Sequence, residues 1–262
     1  MSYWESLLLG FIQGATEFLP VSSSGHLVIA QTLLEIDIEG VAFEVAVHVA
    51  TLVSVLLVYR TRVLDLLRGA IAGDRESFEY MGLIVVATIP AGLLGVFAKD
   101  RIEALFDNPF APGIALLVTG GILWTSRAAQ NRGDASRPTW AAALLIGVAQ
   151  AFALVPGISR SGATVVAAMW LGLEAREAAA FSFLMAVPAI GGAAVLQIPD
   201  VTATGITGLS TGVLLAGAAV AGITGVLAIR TFVAMLARKS FHFFAPYCWA
   251  VGAAYLAFLL VR

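Results

Sequence analysis

The chain of 262 residues is 60% hydrophobic and only 12% charged, with a mean hydropathy of +0.92 and a formal net charge of −2. Soluble domains carry about a quarter charged residues, so this composition excludes an ordinary soluble domain and reads as an integral membrane protein. The balanced charge lacks the basic footprint of a nucleic-acid binder, and the single cysteine, Cys248, excludes an intramolecular disulfide and a cysteine-based zinc site.

Apolar stretches of roughly 20 residues, long enough to cross a hydrocarbon core of about 30 Å, recur along the chain. They indicate helices rather than a barrel, whose strands alternate over about ten residues. The opening, MSYWESLLLGF, has neither a basic segment nor a small-residue cleavage site, so it is expected to be retained structure rather than a signal peptide. A first polar element follows at 10–30, GFIQGATEFLPVSSSGHLVIA. An acidic connector at 35–40 leads to a first span at 41–59, a charged loop at 60–79 and a second span at 81–98 that Pro90 should interrupt. A connector at 99–109, a third span at 110–126 and a basic linker at 127–138 complete the first half. The second half holds a polar element within 140–171, a span at 181–198, a Thr/Gly-rich loop at 199–210, a span at 211–229, then Arg238 and Lys239, and a last span at 244–261. Trp4, Trp140 and Trp249 lie near span ends, as aromatic belts do, and His242 falls in a connector at the interface. Gly92, Gly95, Gly222 and Gly225 are expected to permit close helix packing.

The order of these pieces repeats. Residues 147–167, GVAQAFALVPGISRSGATVVA, align without a gap on 10–30, pairing Gly10 with Gly147, Gln13 with Gln150, Ser22 with Ser159, Ser24 with Ser161 and Gly25 with Gly162. Further on, AGLLGVFA at 91–98 matches AGITGVLA at 221–228, and FAP at 110–112 matches FAP at 244–246. The chain therefore reads as one membrane domain, 1–262, built from repeats at 1–130 and 131–262. Pro20 and Gly25, and Pro156, Gly157 and Gly162, interrupt the polar elements beside several hydroxyls, and irregular backbone at membrane depth survives only against protein or a wet cavity. Each element is thus expected to enter and leave by one face, which gives each half three crossings and inverts the second half. Paired, interrupted segments of this kind mark midplane sites in inverted-repeat folds. In that topology Arg60, Arg62, Arg68, Arg75, Arg127, Arg132, Arg137, Arg176, Arg230, Arg238 and Lys239 share one face, and Lys99, Arg101 and Arg262 the other. The positive-inside rule makes the first face cytoplasmic and leaves both termini outside.

The candidate chemistry lies in the two polar elements. Gln13 and Glu17 are four apart and share a helix face, and an ionised residue at membrane depth is usually paired or functional. Ser22, Ser23, Ser24, Gly25 and His26 read as a loop entering a helix, where free N–H groups and the dipole favour an anion. In the second element Ser159, Arg160, Ser161 and Thr164 surround a guanidinium fork suited to phosphate. Its complement is an anionic ligand, or Glu17 when no ligand is bound, and the combination suggests a phosphate-bearing substrate whose remainder is lipid. Glu44 and His48, also four apart, are open to three readings: a structural pair, a layer behind the site, or a proton path. The repeats share Gln, Ser and Gly, whereas Glu17, His26 and Arg160 occur in one copy each. Shared residues are expected to build the loops and unshared ones to do the chemistry.

These motifs, Gln13 to Glu17 as Q-x-x-x-E, LPVSSSGH at 19–26, PGISRSGAT at 156–164 and FEVAVH at 43–48, resemble the undecaprenyl pyrophosphate phosphatase family, also called bacitracin-resistance proteins. The resemblance covers nearly the whole chain in order. It implies six transmembrane helices plus two re-entrant helical pairs in inverted repeats, and hydrolysis of a polyprenyl diphosphate lipid to the monophosphate on the outer side of the cell membrane, with Mg²⁺ or Ca²⁺. Its acidic positions fall on Gln13 and Glu17, its catalytic serines on Ser22 and Ser23, its histidine on His26, its arginine on Arg160 and its threonine on Thr164. Gln13 departs from the pattern by supplying an amide where many members have a second glutamate, which leaves Glu17 as the carboxylate for a metal. Ser23 activated by Glu17 or His26, His26 itself, and an activated water are the candidate nucleophiles, in that order. Ser24, Ser159 and Ser161 join Gln13, Ser22 and Thr164 as candidate substrate contacts. The expected partners are the lipid substrate, the bilayer and a second copy of the chain in a homodimer. Two rivals stand beside this reading. A phosphatidic-acid phosphatase would need a further histidine soon after the SR segment, where neither His48 nor His242 lies. An inverted-repeat transporter or flippase of a phosphorylated lipid or anion would use the same architecture without the chemistry.

Overall fold

In a hydrocarbon phase, long runs without charge satisfy their backbone groups by hydrogen bonding along a helix, and the described residues form helices with no β-strand among them. The computed structural model describes residues 1–36, 41–130, 132–199, 201 and 210–261. Most of the acidic connector 35–40 and of the Thr/Gly-rich stretch 199–210 lies outside them. The first half contains α1 (Tyr3–Phe18), α2 (Ser23–Leu34), α3 (Ala42–Val58), α4 (Arg60–Ile71), α5 (Arg75–Phe97), α6 (Lys99–Phe106) and α7 (Phe110–Ala129). The second contains α8 (Trp140–Phe152), α9 (Arg160–Trp170), α10 (Ala175–Leu196), α11 (Thr211–Ala237) and α12 (Phe244–Val261), the last preceded by a 3₁₀ turn at Phe241–Phe243.

Helices α5, α10 and α11, and the segment Phe241–Val261, are each long and apolar enough to cross a membrane. Two bent pairs bring the candidate spans to six, α3 with α4 at 77° and α6 with α7 at 96°. The expected spans thus correspond to α3, α5, α7, α10, α11 and α12, with three corrections. The charged loop 60–79 and the connector 99–109 are largely helical, as α4, the start of α5, and α6. In α4 the apolar residues Val63, Leu64, Leu66, Leu67 and Ile71 fall on one side and Arg62, Asp65 and Arg68 on the other, the pattern of a helix lying along an interface. Asp74 then caps α5 by accepting the Ser77 hydroxyl at 2.6 Å and its N–H at 2.9 Å, and these bonds hold its carboxyl below the usual carboxylate range. Pro90 does not interrupt its span, because both Pro90 and Pro188 sit inside continuous helices.

The packing pairs elements across the halves. Helix α1 lies on α11 and α8 on α5, α3 packs on α11 and α10 on α5, and α7 lies against α12. Each partner pair interchanges when the halves are exchanged. The polar elements are hairpins, α1 folded on α2 and α8 on α9. Close approach of α1 to α11 depends on missing side chains: a Cβ on Gly10 would lie 2.3 Å from the Gly217 carbonyl oxygen, and one on Gly14 2.3 Å from that of Ala221. Gly147 stands in the same relation to Ala87 on α5, at 2.5 Å. Gly225 meets Ser54, whereas Gly92 and Gly95 face open space, so the packing expected of those two is not found. Trp249, half-buried, also takes part in helix packing. It packs on Gly120 and Trp124 and donates to the Leu117 carbonyl at 3.1 Å. Beneath the hairpins an aromatic core runs edge to face from Phe18 through Phe183 and Phe232 to Phe241.

The glycine contacts give a direct test. Gly10→Ala and Gly14→Ala push a methyl into backbone and should cost about 1–3 kcal/mol each, the usual range for overpacking. Gly92→Ala should leave stability unchanged or slightly raised, as read by thermal melting of the purified protein in detergent.

Candidate functional site

Both hairpins break where their sequences require it. Pro20 drives Leu19 to an extended conformation, φ −62° and ψ 144°, and ends α1; α8 stops ahead of Pro156 and Gly157, the latter at φ +101°. Each second helix then opens on a serine cap. The Ser22 hydroxyl accepts the Gly25 N–H at 3.3 Å, and the Ser159 hydroxyl accepts the Gly162 N–H at 3.1 Å. The aligned Ser and Gly positions of the two repeats therefore do the same structural work.

The turns also hold each other. Ser22 accepts a second N–H, from Gly157, at 3.2 Å, and a Cβ on Gly25 would stand 2.8 Å from the Gly157 Cα. Ser161 reaches across to the Leu19 carbonyl at 3.4 Å. Ser22 itself has φ 69°, a left-handed backbone that a residue with a side chain adopts only when its surroundings enforce it. Here the enforcement is visible: the hydroxyl is tied to both turns, and the carbonyl accepts the backbone N–H of His26 at 3.2 Å and its Nδ1–H at 2.8 Å.

At this junction Arg160, Ser23 and Gln13 converge on the carboxylate of Glu17, and His26 does not. Glu17, its side chain only 7% exposed, accepts from Arg160 Nη2 through Oε1 at 2.5 Å. Its Oε2 accepts from the Ser23 hydroxyl at 2.5 Å and from Gln13 Nε2 at 3.1 Å, with His48 Nε2 4.0 Å away. Two buried atoms in the cluster lack partners, Arg160 Nη1 and Gln13 Oε1. An unpaired buried donor on a guanidinium is expensive, and an anionic oxygen from a ligand would satisfy it. Ser23 and Arg160 are also the first residues of α2 and α9, so two helix N-termini, each with N–H groups lacking intrahelical partners, face one place.

The other expected site residues are placed differently. Ser22, Ser159, Ser161 and Thr164 are buried, and each hydroxyl braces the hairpins; that of Thr164 bonds the Arg160 carbonyl at 2.7 Å and Ser182 at 2.6 Å. Ser24 lies 3.3 Å from the Ser22 hydroxyl. His26 makes no hydrogen bond to Glu17 or Ser23; its ring bonds the Ser22 carbonyl and, through Nε2 at 2.9 Å, the hydroxyl of Tyr247 on α12. His48 is not paired with the Glu44 carboxylate. Its Nδ1–H donates to the Glu44 backbone carbonyl at 2.7 Å, which turns Nε2 toward Glu17. Among the described residues no group of three His, Cys, Asp or Glu could hold a metal ion.

Two contributors escaped the sequence reading. Thr119 on α7 fixes the second turn, donating to the Gly157 carbonyl at 2.8 Å and accepting the Ser159 N–H at 3.0 Å. A threonine inside an apolar span gives no sequence signal of its own. Tyr247 follows the FAP match, at the position where the first repeat has Gly113. Only packing brings it to His26.

Comparison with known proteins finds relatives along nearly the whole chain. A family model described as bacitracin resistance protein BacA matches residues 6–254. An undecaprenyl-diphosphatase of Alkaliphilus metalliredigens (strain QYMF) is 38% identical over 100% of both chains. Undecaprenyl-diphosphatase 2 of Bacillus thuringiensis (strain Al Hakam) is 40% identical, covering 97% of this chain and 96% of its own. An undecaprenyl-diphosphatase of Halothermothrix orenii is 37% identical over 96% of each.

Thr119→Val keeps the shape of the side chain and removes both bonds to the second turn. It should cost about 1–3 kcal/mol, the penalty for stranding buried polar groups. Thr88→Val, whose hydroxyl bonds only the Ile84 carbonyl of its own helix, should melt within a degree or two of the parent, about what a surface change gives.

Proposed function

Because the chain belongs to the bacitracin resistance protein BacA family, we propose that it is an integral membrane phosphatase that hydrolyses undecaprenyl diphosphate to the monophosphate and inorganic phosphate. Its relatives carry the name of that activity from end to end. The reaction recycles the lipid carrier of envelope synthesis and accounts for bacitracin resistance. The observation that carries the reading is the Ser23 hydroxyl held on the Glu17 carboxylate, with Arg160 on the other oxygen and its Nη1 left without a partner. A transporter would need the anion site but not a hydroxyl on a buried base, so that reading is not favoured.

Phosphoryl transfer needs a nucleophile in line, neutralisation of the phosphoryl oxygens and a path for the proton. Ser23 Oγ attacks the terminal phosphorus while its proton passes to Glu17 Oε2. The bond to the bridging oxygen breaks, and the prenyl monophosphate leaves with the electron pair and then takes the proton from Glu17. Water next attacks the phosphoserine. Glu17 accepts the water proton and returns it to Ser23 Oγ as inorganic phosphate departs. Arg160 Nη1 and the N–H groups opening α2 and α9 carry the charge on the phosphoryl oxygens. Ser23 is preferred over His26 as nucleophile because both ring nitrogens of His26 are engaged elsewhere.

Magnesium or calcium is the cofactor of this proposal. The hard oxygens on offer are the Glu17 carboxylate and the unpartnered Gln13 Oε1. They fit a Mg²⁺ ion that takes its other ligands from the diphosphate and water, since magnesium often uses few protein carboxylates. The ion would offset diphosphate charge. The distribution of Lys and Arg supports an extracytoplasmic active site and termini, in a membrane protein of inverted repeats 1–130 and 131–262. A homodimer also belongs to the proposal.

The test is phosphate release from a purified polyprenyl diphosphate by the protein in detergent. Arg160→Ala, Glu17→Gln and Ser23→Ala should each lower kcat by about 10²-fold or more while the proteins remain folded. Movement of substrate across liposomes without any phosphate release would overturn the enzyme reading. Chelation should abolish activity and added Mg²⁺ should restore it; full turnover in excess chelator would remove the metal.

A further inference from the structure

We infer that Tyr247 is a positioning residue for the Ser22–Ser23 turn, acting from the far end of the chain through His26. The inference rests on the phosphatase reading of that turn and names a residue that the reading does not contain.

Directionality follows from the acceptors. The Ser22 carbonyl can only accept, so His26 Nδ1 carries a proton, and in the neutral ring Nε2 is a lone pair that accepts the Tyr247 O–H at 2.9 Å. The two rings stack within 4° of parallel with centroids 5.7 Å apart. Both ring nitrogens are therefore occupied, and the imidazole is clamped in one tautomer and one orientation. What the clamp secures is the carbonyl of Ser22, the residue with the left-handed φ of 69° that directly precedes the nucleophile. Ser22 is held on its other side through its hydroxyl by Gly25 and Gly157. Without Tyr247, His26 keeps its bond to Ser22 but loses the contact that fixes its ring, and the Ser23 hydroxyl is less tightly aimed.

An unclamped nucleophile loses turnover rather than affinity. Tyr247→Phe keeps the ring stack and deletes only the hydroxyl. It should lower kcat roughly two- to tenfold, the span of one neutral hydrogen bond, with KM within about twofold of the parent. In a His26→Ala background the same change should have no further effect, because the path is already cut. Nitrogen-15 spectra of histidine-labelled protein, with the His26 signals identified by their loss in His26→Ala, provide a readout independent of activity. The Nε2 resonance should move in Tyr247→Phe. An unchanged kcat, an equal loss in both backgrounds, or an Nε2 resonance that does not move would overturn the inference. Where His26→Ala is too slow for the cycle, the kcat change and the spectrum decide. Absence of phosphate release by the unsubstituted protein would instead count against the phosphatase reading and leave the spectrum to judge the Tyr247–His26 link.

Discussion

The arrangement depends on one ion pair, Glu17 with Arg160, formed between the two hairpins. Removing either charge from water costs several kcal/mol or more, and the attraction between them offsets that only with good geometry and further hydrogen bonds. Glu17 has those bonds, from Ser23 and Gln13 on the oxygen that Arg160 does not use. The pair can exist only if the hairpins approach closely. That explains Gly25 against Gly157, Ser22 shared between the turns, and the glycines that let α1 and α8 sink onto α11 and α5.

The two halves repeat one another in sequence and in packing, and the proposed chemistry lies where they differ. Ser22 and Ser159 cap α2 and α9 through Gly25 and Gly162, so a residue present twice performs one structural task twice. The glutamines already diverge: Gln13 serves Glu17, while Gln150 bonds the Ala87 carbonyl at 3.4 Å because Leu154 stands where the carboxylate would be. Arg160 occupies the position that aligns with Ser23, so the proposed nucleophile and its proposed charge partner are opposite occupants of one repeated position. The proposal therefore has a single active site, since neither copy holds both.

Much of this was legible in the sequence, for local reasons. Pro20 and Pro156 end helices wherever they occur, serine ahead of a helix caps it, and charges in an apolar chain must be accounted for. These rules located both hairpins and the residues that meet there. The charge of 60–79 masks its helical character, although α4 has the two-sided pattern of an interfacial helix. Pro90 was read as a break because its own stretch does not show that membrane helices re-satisfy the freed backbone group. Thr119, Tyr247 and the approach of His48 to Glu17 depend on which helices become neighbours, and packing decides that. The open faces of Gly92 and Gly95 have the same origin.

The geometry of the guanidinium explains how one arginine serves two demands. Nη2 is engaged by Glu17, and Nη1 is buried and unengaged. A phosphoryl oxygen can therefore take Nη1 without displacing the carboxylate. In the proposed reaction Glu17 could then keep its hold on Ser23 with the ligand bound, so that the proposed base and nucleophile stay in register with the guanidinium. A lysine could not do this, because its compact ammonium offers no fixed pair of directions. In the proposed phosphatase the planar fork of Arg160 thus makes the ion pair that joins the halves a template for setting the phosphoryl group against Ser23.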